Sequence, residues 1–410
     1  MREAMTRALI LTFPEDIHAT EVALALGDMG HEAVLWYGAD FPSRQTASIR
    51  IEGGEVRWEA RGEGLDVPLG GPPFDVVWFR RPSPPDLPEE ELHPGDRKMA
   101  RQECETFIEG LWRVVVPPGA LEVNPLDGRL RARSKAIQLR EAQTAGLRIP
   151  PTLMSNDPER IREFLGEQAR DGAIYKPFFP AQWESGPEPE DRVALLVTTE
   201  LTADDLPEND MVRLTPGIFQ AKVPKSHELR VTWMGRHAVT AVLRSQASEA
   251  TRVDWRAGQG DLPMEAGDLP VEVRRGCQEL MERLGLVFGC FDFVVTPEGE
   301  HVFLEVNPMG QFLWKEEGVP ELTLLDDFCA FLIEASPDFA GPREPARVHH
   351  GDYTERAREF MERAAERHVR RFPSFLYSDL PDSSGASADR EEDALPPDPQ
   401  SSPSPNRRLP

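Results

Sequence analysis

Cys290-Phe291-Asp292-Phe293 and, past the turn Pro297-Glu298-Gly299, Phe303-Leu304-Glu305-Val306-Asn307-Pro308 are the two stretches whose reading decides the fold of this chain. Both are short apolar runs bounded by turn residues, which predicts adjacent buried strands over 287–295 and 301–306. Strand alternation then places Glu305 and Asn307 on one face and Leu304 and Val306 on the other, where an Asp of the neighbouring strand can meet the polar pair. An unpaired carboxylate inside an apolar run is costly, so Asp292 and Glu305 call for a partner. Two carboxylates and a carboxamide oxygen are hard donors that suit Mg²⁺ held between protein and nucleotide phosphates. The bland alternative is a strand pair whose polar residues face solvent.

Working outward, two lysines stand upstream in different settings. Lys135 lies on a helix expected over 127–145 and closed by Gly146, and Lys176 ends the strand-like run Ile174-Tyr175-Lys176 before Pro177. Each can serve as a point charge for a phosphate or as a rim residue with a buried stem. Between them and the metal pair runs Phe219-Gln220-Ala221-Lys222-Val223-Pro224-Lys225-Ser226-His227-Glu228-Leu229-Arg230-Val231, strand giving way to a loop and a second strand. A Gln amide with strand-end backbone can read an adenine edge, and Glu228 can accept from a ribose hydroxyl. Arg230 and Arg256 can stabilise a transferring phosphoryl group, though Glu228 and Arg230 also fit a surface ion pair of little value. Arg80-Arg81 ends a buried strand over 75–79, where a parallel sheet presents its ligand edge.

Composition narrows the class. The 410 residues carry 46 Lys+Arg against 71 Asp+Glu, a net charge of −25, which opposes a role in coating nucleic acid. No apolar run reaches the ~20 residues that span a bilayer, so no membrane partner is expected. The four cysteines Cys104, Cys277, Cys290 and Cys329 form no CxxC pair, which argues for a reducing, cytoplasmic setting. Nothing in the residues forbids a homodimer.

The order of elements predicts an α/β (α+β) chain. Residues 1–122 read as an N-terminal α/β domain with strands at 8–13, 32–37 and 75–79 and a hairpin around Gly53-Gly54. A central part spans 123–215, with a loop at 180–191, a strand at 193–199 and a cap at Ser155-Asn156-Asp157-Pro158. A strand-rich part at 216–337 closes on helices at 271–284 and 324–334. An amphipathic helix at 352–372 belongs to an extension over 338–380. Residues 381–410 hold seven Pro and six Ser and no aromatic residue, a composition that favours disorder.

The series Asn124, Lys135, Lys176, Gln220-x-x-Val223, Glu228-x-Arg230, Asp292 and Glu305-x-Asn307 resembles the ATP-grasp carboxylate–amine ligases. Five further stretches are most similar to the graspetide (microviridin-type) ligases of RiPP biosynthesis: Phe13-Pro14-Glu15-Asp16, Trp78-Phe79-Arg80-Arg81-Pro82, Lys135-Ala136-Ile137-Gln138-Leu139-Arg140, Val253-Asp254-Trp255-Arg256 and Asn307-Pro308-Met309-Gly310-Gln311-Phe312. The resemblance covers roughly residues 6–335. It implies a three-domain ATP-grasp fold with a pre-ATP-grasp domain first and the metals in the 216–337 part. It implies ATP phosphates on Lys135 and Lys176, adenosine against Gln220, Val223 and Glu228, and two Mg²⁺ on Asp292, Glu305 and Asn307. Arg230 and Arg256 would face the γ-phosphate and an acyl phosphate, and Arg80 and Arg81 an acidic core peptide. The implied reaction activates Asp or Glu side chains of a precursor peptide (leader plus acidic core) and closes them onto Thr/Ser hydroxyls or a Lys amine. Two alternatives stand beside it: a glutamate-ligase relative that adds an amino acid to a small molecule or protein terminus, and a peptide-binding module without turnover. One departure is the phosphate lid, glycine-rich in many relatives, where 180–191 offers only Gly186.

Overall fold

Arg7–Thr12, Glu32–Tyr37, Val76–Phe79 and Leu121–Val123 form a parallel sheet in the order second, first, third, fourth. The computed structural model describes residues 5–370, apart from 179–181, 185–192, 196–197, 250, 253–254 and 256–261, with backbone alone at 182–184 and 193–195. The expected tail at 381–410 lies outside the described residues. The chain divides into two compact units, one of residues 5–151 with 223–370 and one of 152–222.

In the first unit the parallel strands are apolar on both faces, as a covered sheet requires: Leu9, Ile10, Val76 and Val77 are fully buried. Asp16 caps the helix Ile17–Asp28, accepting from the amides of His18 and Ala19. The carboxyl ends of the strands thus carry Phe13-Pro14-Glu15-Asp16, Gly38–Asp40 and Arg80-Arg81 along one edge. A small antiparallel sheet, Gln45–Glu52, Glu55–Gly62 and Leu65–Val67, turns at Gly53 and Gly54, both at positive φ.

The same unit holds a five-stranded antiparallel sheet in the order Met264–Gly267, His237–Leu243, His227–Met234, Phe288–Val295, His301–Asn307. One face is a ring cluster, with Trp233 against Phe291 at 5.8 Å and Phe303 against Phe293 at 5.7 Å. The helix Val271–Leu284 buries Cys277, Leu280, Met281 and Leu284 and ends at Gly285 in the left-handed region. The helix Leu324–Glu334 joins the two sheets' cores through Phe328, which lies 4.7 Å from Trp78 and 5.1 Å from Phe288.

The second unit is a sheet in the order Thr199–Leu201, Ala173–Lys176, Gly217–Ala221, Thr152–Ser155, all antiparallel, with a separate pair Gln182–Glu184 and Val193–Leu195. Its core is Ile161, Leu165, Ala173, Tyr175, Leu201, Val212 and Phe219. Gly217 lies under the Tyr175 ring, in space a Cβ would fill.

Several elements differ from the sequence reading. The helix expected at 127–145 is two, Leu126–Arg133 and Lys135–Thr144, because Ser134 is extended and its hydroxyl caps the second. The loop at 180–191 contains the strand Gln182–Glu184, and the strand at 193–199 splits between two sheets. The last helix runs His350–Arg367 and stops short of 372, because His368 and Val369 turn onto the buried carboxylate of Asp40 at 2.6 and 2.7 Å.

Candidate functional site

On the face of the five-stranded sheet opposite the ring cluster, three strands carry a polar row. Glu228, Arg230 and Thr232 alternate with buried Leu229, Val231 and Trp233, and Cys290 and Asp292 alternate with Phe291 and Phe293. The register sets Arg230 opposite Asp292, Asp292 opposite Glu305, and Cys290 opposite Asn307. Arg230 Nη1 donates to Asp292 Oδ1 at 2.6 Å, with both side chains about 95% buried. The partner that an Asp in an apolar strand needs is therefore an arginine on the next strand.

Glu305 reaches this row through an irregularity. The register shifts between Asp292 and Phe293, so that Phe293 faces Phe303 while Asp292 faces Glu305, leaving Leu304 as the extra residue. Regular alternation would send Glu305 to the same face as Phe303. Instead Phe303 and Val306 are wholly buried on the core side and Leu304 is only half-buried. This corrects the expectation that Leu304 shares that side with Val306.

Lys135 is the first residue of its helix, and its Nζ pairs with Glu305 Oε2. Partial positive charge at that helix end adds to the ammonium. Across the face the charges run Arg230, Asp292, Glu305, Lys135: two adjacent carboxylates with a cation at each end. Asn307 is exposed, and its Oδ1 accepts the amide of Met309 at 2.9 Å. Among the described residues no three His, Cys, Asp or Glu stand together as a metal cluster. Asp292, Glu305 and the Asn307 amide are hard oxygens that fit an ion whose remaining ligands come from phosphate and water.

The turn after Asn307 is held from three sides. Arg80, fully buried, pairs with Asp16 at 3.1 Å and donates to the carbonyls of Met309 and Gly310. Asn124 Nδ2 donates to Pro308 O at 2.9 Å. His18 Nε2 accepts the amides of Phe312 and Leu313 at 2.9 and 3.3 Å, in keeping with burial that holds its pKa well below the usual value and keeps it neutral. Gly310 passes so close that a Cβ would lie 2.5 Å from Cys290 Cβ. Arg80 is thus engaged in bracing. Arg81 is the half-buried member of the pair, its pKa pushed down to about 10 by burial and by Arg80.

The remaining expected residues are placed as follows. Glu228 accepts from Lys225 Nζ at 2.9 Å, and burial raises its pKa in spite of that partner. Val223 is half-buried in the loop between Gly217–Ala221 and His227–Met234. In the second unit Lys176 donates to Gln220 Oε1 at 3.0 Å, and Gln220 Nε2 donates to Thr152 Oγ1 at 2.9 Å. Arg256 lies outside the described residues, as does most of 180–191. Two residues were not among the expected site residues. Lys315 is wholly buried, donates to Thr232 Oγ1 beside Arg230, and has a pKa pushed down to about 8 by burial. Gln138, one turn after Lys135, hydrogen-bonds the backbone of Val306. Only the second had a signal, its i+3 spacing from Lys135.

No family model and no curated protein matches the chain. Solved structures do. A Chryseobacterium gregarium RiPP-associated ATP-grasp ligase in complex with ADP and a leader and core peptide is 24% identical, with TM-score 0.71, covering 84% of this chain and 100% of its own. The macrocyclase MdnC bound with precursor peptide MdnA, from Microcystis aeruginosa MRC, is 26% identical, with TM-score 0.67 over 80% of this chain and 98% of its own. The ATP-grasp ligase PsnB complexed with minimal precursor, Mg and ADP is 21% identical, with TM-score 0.61 over 80% and 97%. These likenesses give the chain the ATP-grasp ligase fold, and no helix among the described residues is long and apolar enough to cross a membrane.

Proposed function

Taking as premise that this chain is an ATP-grasp ligase, we propose that it macrocyclises a ribosomal precursor peptide. ATP phosphorylates an Asp or Glu side chain of the peptide to an acyl phosphate. A Thr or Ser hydroxyl, or a Lys amine, then attacks the acyl carbon, phosphate leaves, and an ester or amide ring closes. The observation that carries the reading is the row Arg230, Asp292, Glu305, Lys135, with paired carboxylates between two cations.

In this reading Asp292, Glu305 and Asn307 would hold Mg²⁺, which would supply charge neutralisation for the nucleotide phosphates. The likeness to PsnB complexed with Mg and ADP supports Mg²⁺ as the ion. Lys135 and Lys176 take phosphate oxygens, each leaving its present partner. Gln220, Val223 and Glu228 line the adenosine, and Arg230 with Arg256 faces the transferring group, where preorganised charge is worth most. Arg81 meets the acidic core of the peptide.

The test uses purified protein, ATP, Mg²⁺ and synthetic short acidic peptides that contain Ser, Thr and Lys. The expected result is peptide-dependent ADP release, loss of one water mass per ring, and a hydroxamate when hydroxylamine traps the acyl phosphate. ADP release that depends on a free amino acid and leaves the peptide unchanged would favour the glutamate-ligase reading. Peptide binding without ADP release would favour the binding module.

A further inference from the structure

Gln138 is wholly buried, and its carboxamide does the work of a missing neighbouring strand. Its Oε1 accepts the Val306 amide at 3.0 Å, and its Nε2 donates to the Val306 carbonyl at 2.9 Å and to the carbonyl of Ala132. Val306 stands between Glu305 and Asn307 on the outermost strand of the sheet. That strand is held on its outer side at two points, Phe303 by the carbonyl of Arg148 at 2.8 Å and Val306 by Gln138. The bulge at Leu304 falls between them.

The bulge is where the ladder itself least enforces position, because its extra residue breaks the regular pairing. Ladder bonds alone therefore leave the orientation of Glu305 under-determined. Gln138 restores it from outside, and it does so from the helix whose first residue is Lys135. An amide has a donor and an acceptor in one plane, the pattern a strand presents. A carboxylate, an ammonium or an apolar side chain offers at most half of it.

We propose that Gln138 is a positioning residue that fixes Glu305 and Asn307 in one frame with Lys135, so that divalent ion and nucleotide phosphate bind together. This rests on the reading of that face as the Mg²⁺-nucleotide site. Losing the amide takes this partner from both backbone groups of Val306 and from the Ala132 carbonyl, and frees the strand to shift past its bulge.

The experiment compares Gln138→Met and Gln138→Glu with Gln45→Met. Gln45 is also buried, with its Oε1 accepting from Trp36 Nε1 at 3.0 Å, and lies outside the site. Three quantities are read: Mn²⁺ affinity of the ADP-bound protein by electron paramagnetic resonance, the Mg²⁺ concentration that half-saturates ATP turnover, and the melting temperature. Gln138→Met should weaken Mn²⁺ binding and raise the Mg²⁺ requirement about tenfold, as loss of outer-shell support does in metal sites. Gln138→Glu, which keeps the acceptor for the Val306 amide, should fall between Gln138→Met and wild type, and it carries the test if Gln138→Met fails to fold. Gln45→Met should lower the melting temperature and leave both metal readouts unchanged. Wild-type Mn²⁺ affinity in the Gln138 variants, at any melting temperature, overturns the proposal. Absence of Mn²⁺ binding by wild type with ADP instead overturns the Mg²⁺-nucleotide reading beneath it.

Discussion

Lys135 and Glu305, 170 residues apart in the chain, form an ion pair between the start of a helix and the edge of a sheet. In the proposed reading Lys135 takes a phosphate and Glu305 a divalent ion, so loading the site would mean opening this pair. Glu305→Ala should leave Lys135 free to bind phosphate while removing a metal oxygen. We expect ATP turnover to fall roughly a hundredfold or more, since a bridging metal supplies several kcal/mol. Steady-state kinetics across a Mg²⁺ series check it, and near-wild-type rates with an unchanged Mg²⁺ curve would remove the metal assignment.

Arg80 and Arg81 are neighbours with different expected phenotypes. Arg80→Ala breaks a fully buried pair with Asp16 and frees the Met309 and Gly310 carbonyls, which should cost about 3–5 kcal/mol of stability. Arg81→Ala should melt close to wild type and lose about tenfold in kcat/KM for the precursor peptide, the value of one charge-assisted contact. Equal peptide kinetics in a folded Arg81→Ala would leave that side chain a structural role only.

Lys315 is a buried cation whose ammonium, among the described residues, hydrogen-bonds to a hydroxyl. Its folded pKa of about 8 lies below the ordinary 10.5, so the folded state pays for the charge at pH 7 and is relieved as pH rises between those values. Lys315→Met should therefore be more stable at pH 7, by about 1–3 kcal/mol, an outcome known for buried charges replaced by apolar side chains. It should also bind ADP several-fold more weakly, since a positive charge beside Arg230 is gone. Denaturant melts and ADP titration read the two effects separately.

His350 lies between Glu21 at 2.5 Å and Glu317 at 3.1 Å and joins the last helix to the body of the first unit. Burial opposes its charge, but the two carboxylates outweigh burial and raise the pKa to about 9. Its contribution is complete below about pH 6.5 and is lost as pH climbs through about 9. Wild type should lose on the order of 2 kcal/mol across that window. His350→Gln, lower at pH 6.5, should show a flatter profile, which thermal melts at several pH values will reveal.

The legible part of this molecule was its chemistry inside apolar strands. Asp292 and Glu305 announced themselves because carboxylates are costly there, and the helices Val271–Leu284 and Leu324–Glu334 because their stripes repeat over three turns. Ser134 gave no warning, since a serine breaks a helix only when its hydroxyl finds an amide to cap, here that of Ile137. Leu304 looks like any strand residue, and a bulge shows only against a partner strand. Strands of three or four residues, such as Leu65–Val67 and Leu121–Val123, are too short for any period to show. Lys315, in Leu313-Trp314-Lys315-Glu316-Glu317, reads as surface because nothing local says that the segment is packed under the sheet.

Asp40 accepts both the His368 ring and the Val369 amide, Arg44 donates to the Arg367 carbonyl at 2.6 Å, and Arg370 pairs with Glu15. The latch moors Arg370 beside the carboxyl ends of the parallel strands, next to Asp16 and its partner Arg80. A segment joined directly after Arg370 would be held at that edge at about millimolar effective concentration, however dilute the protein. Asp40→Asn, by weakening the hold on His368 and Val369, would loosen that mooring.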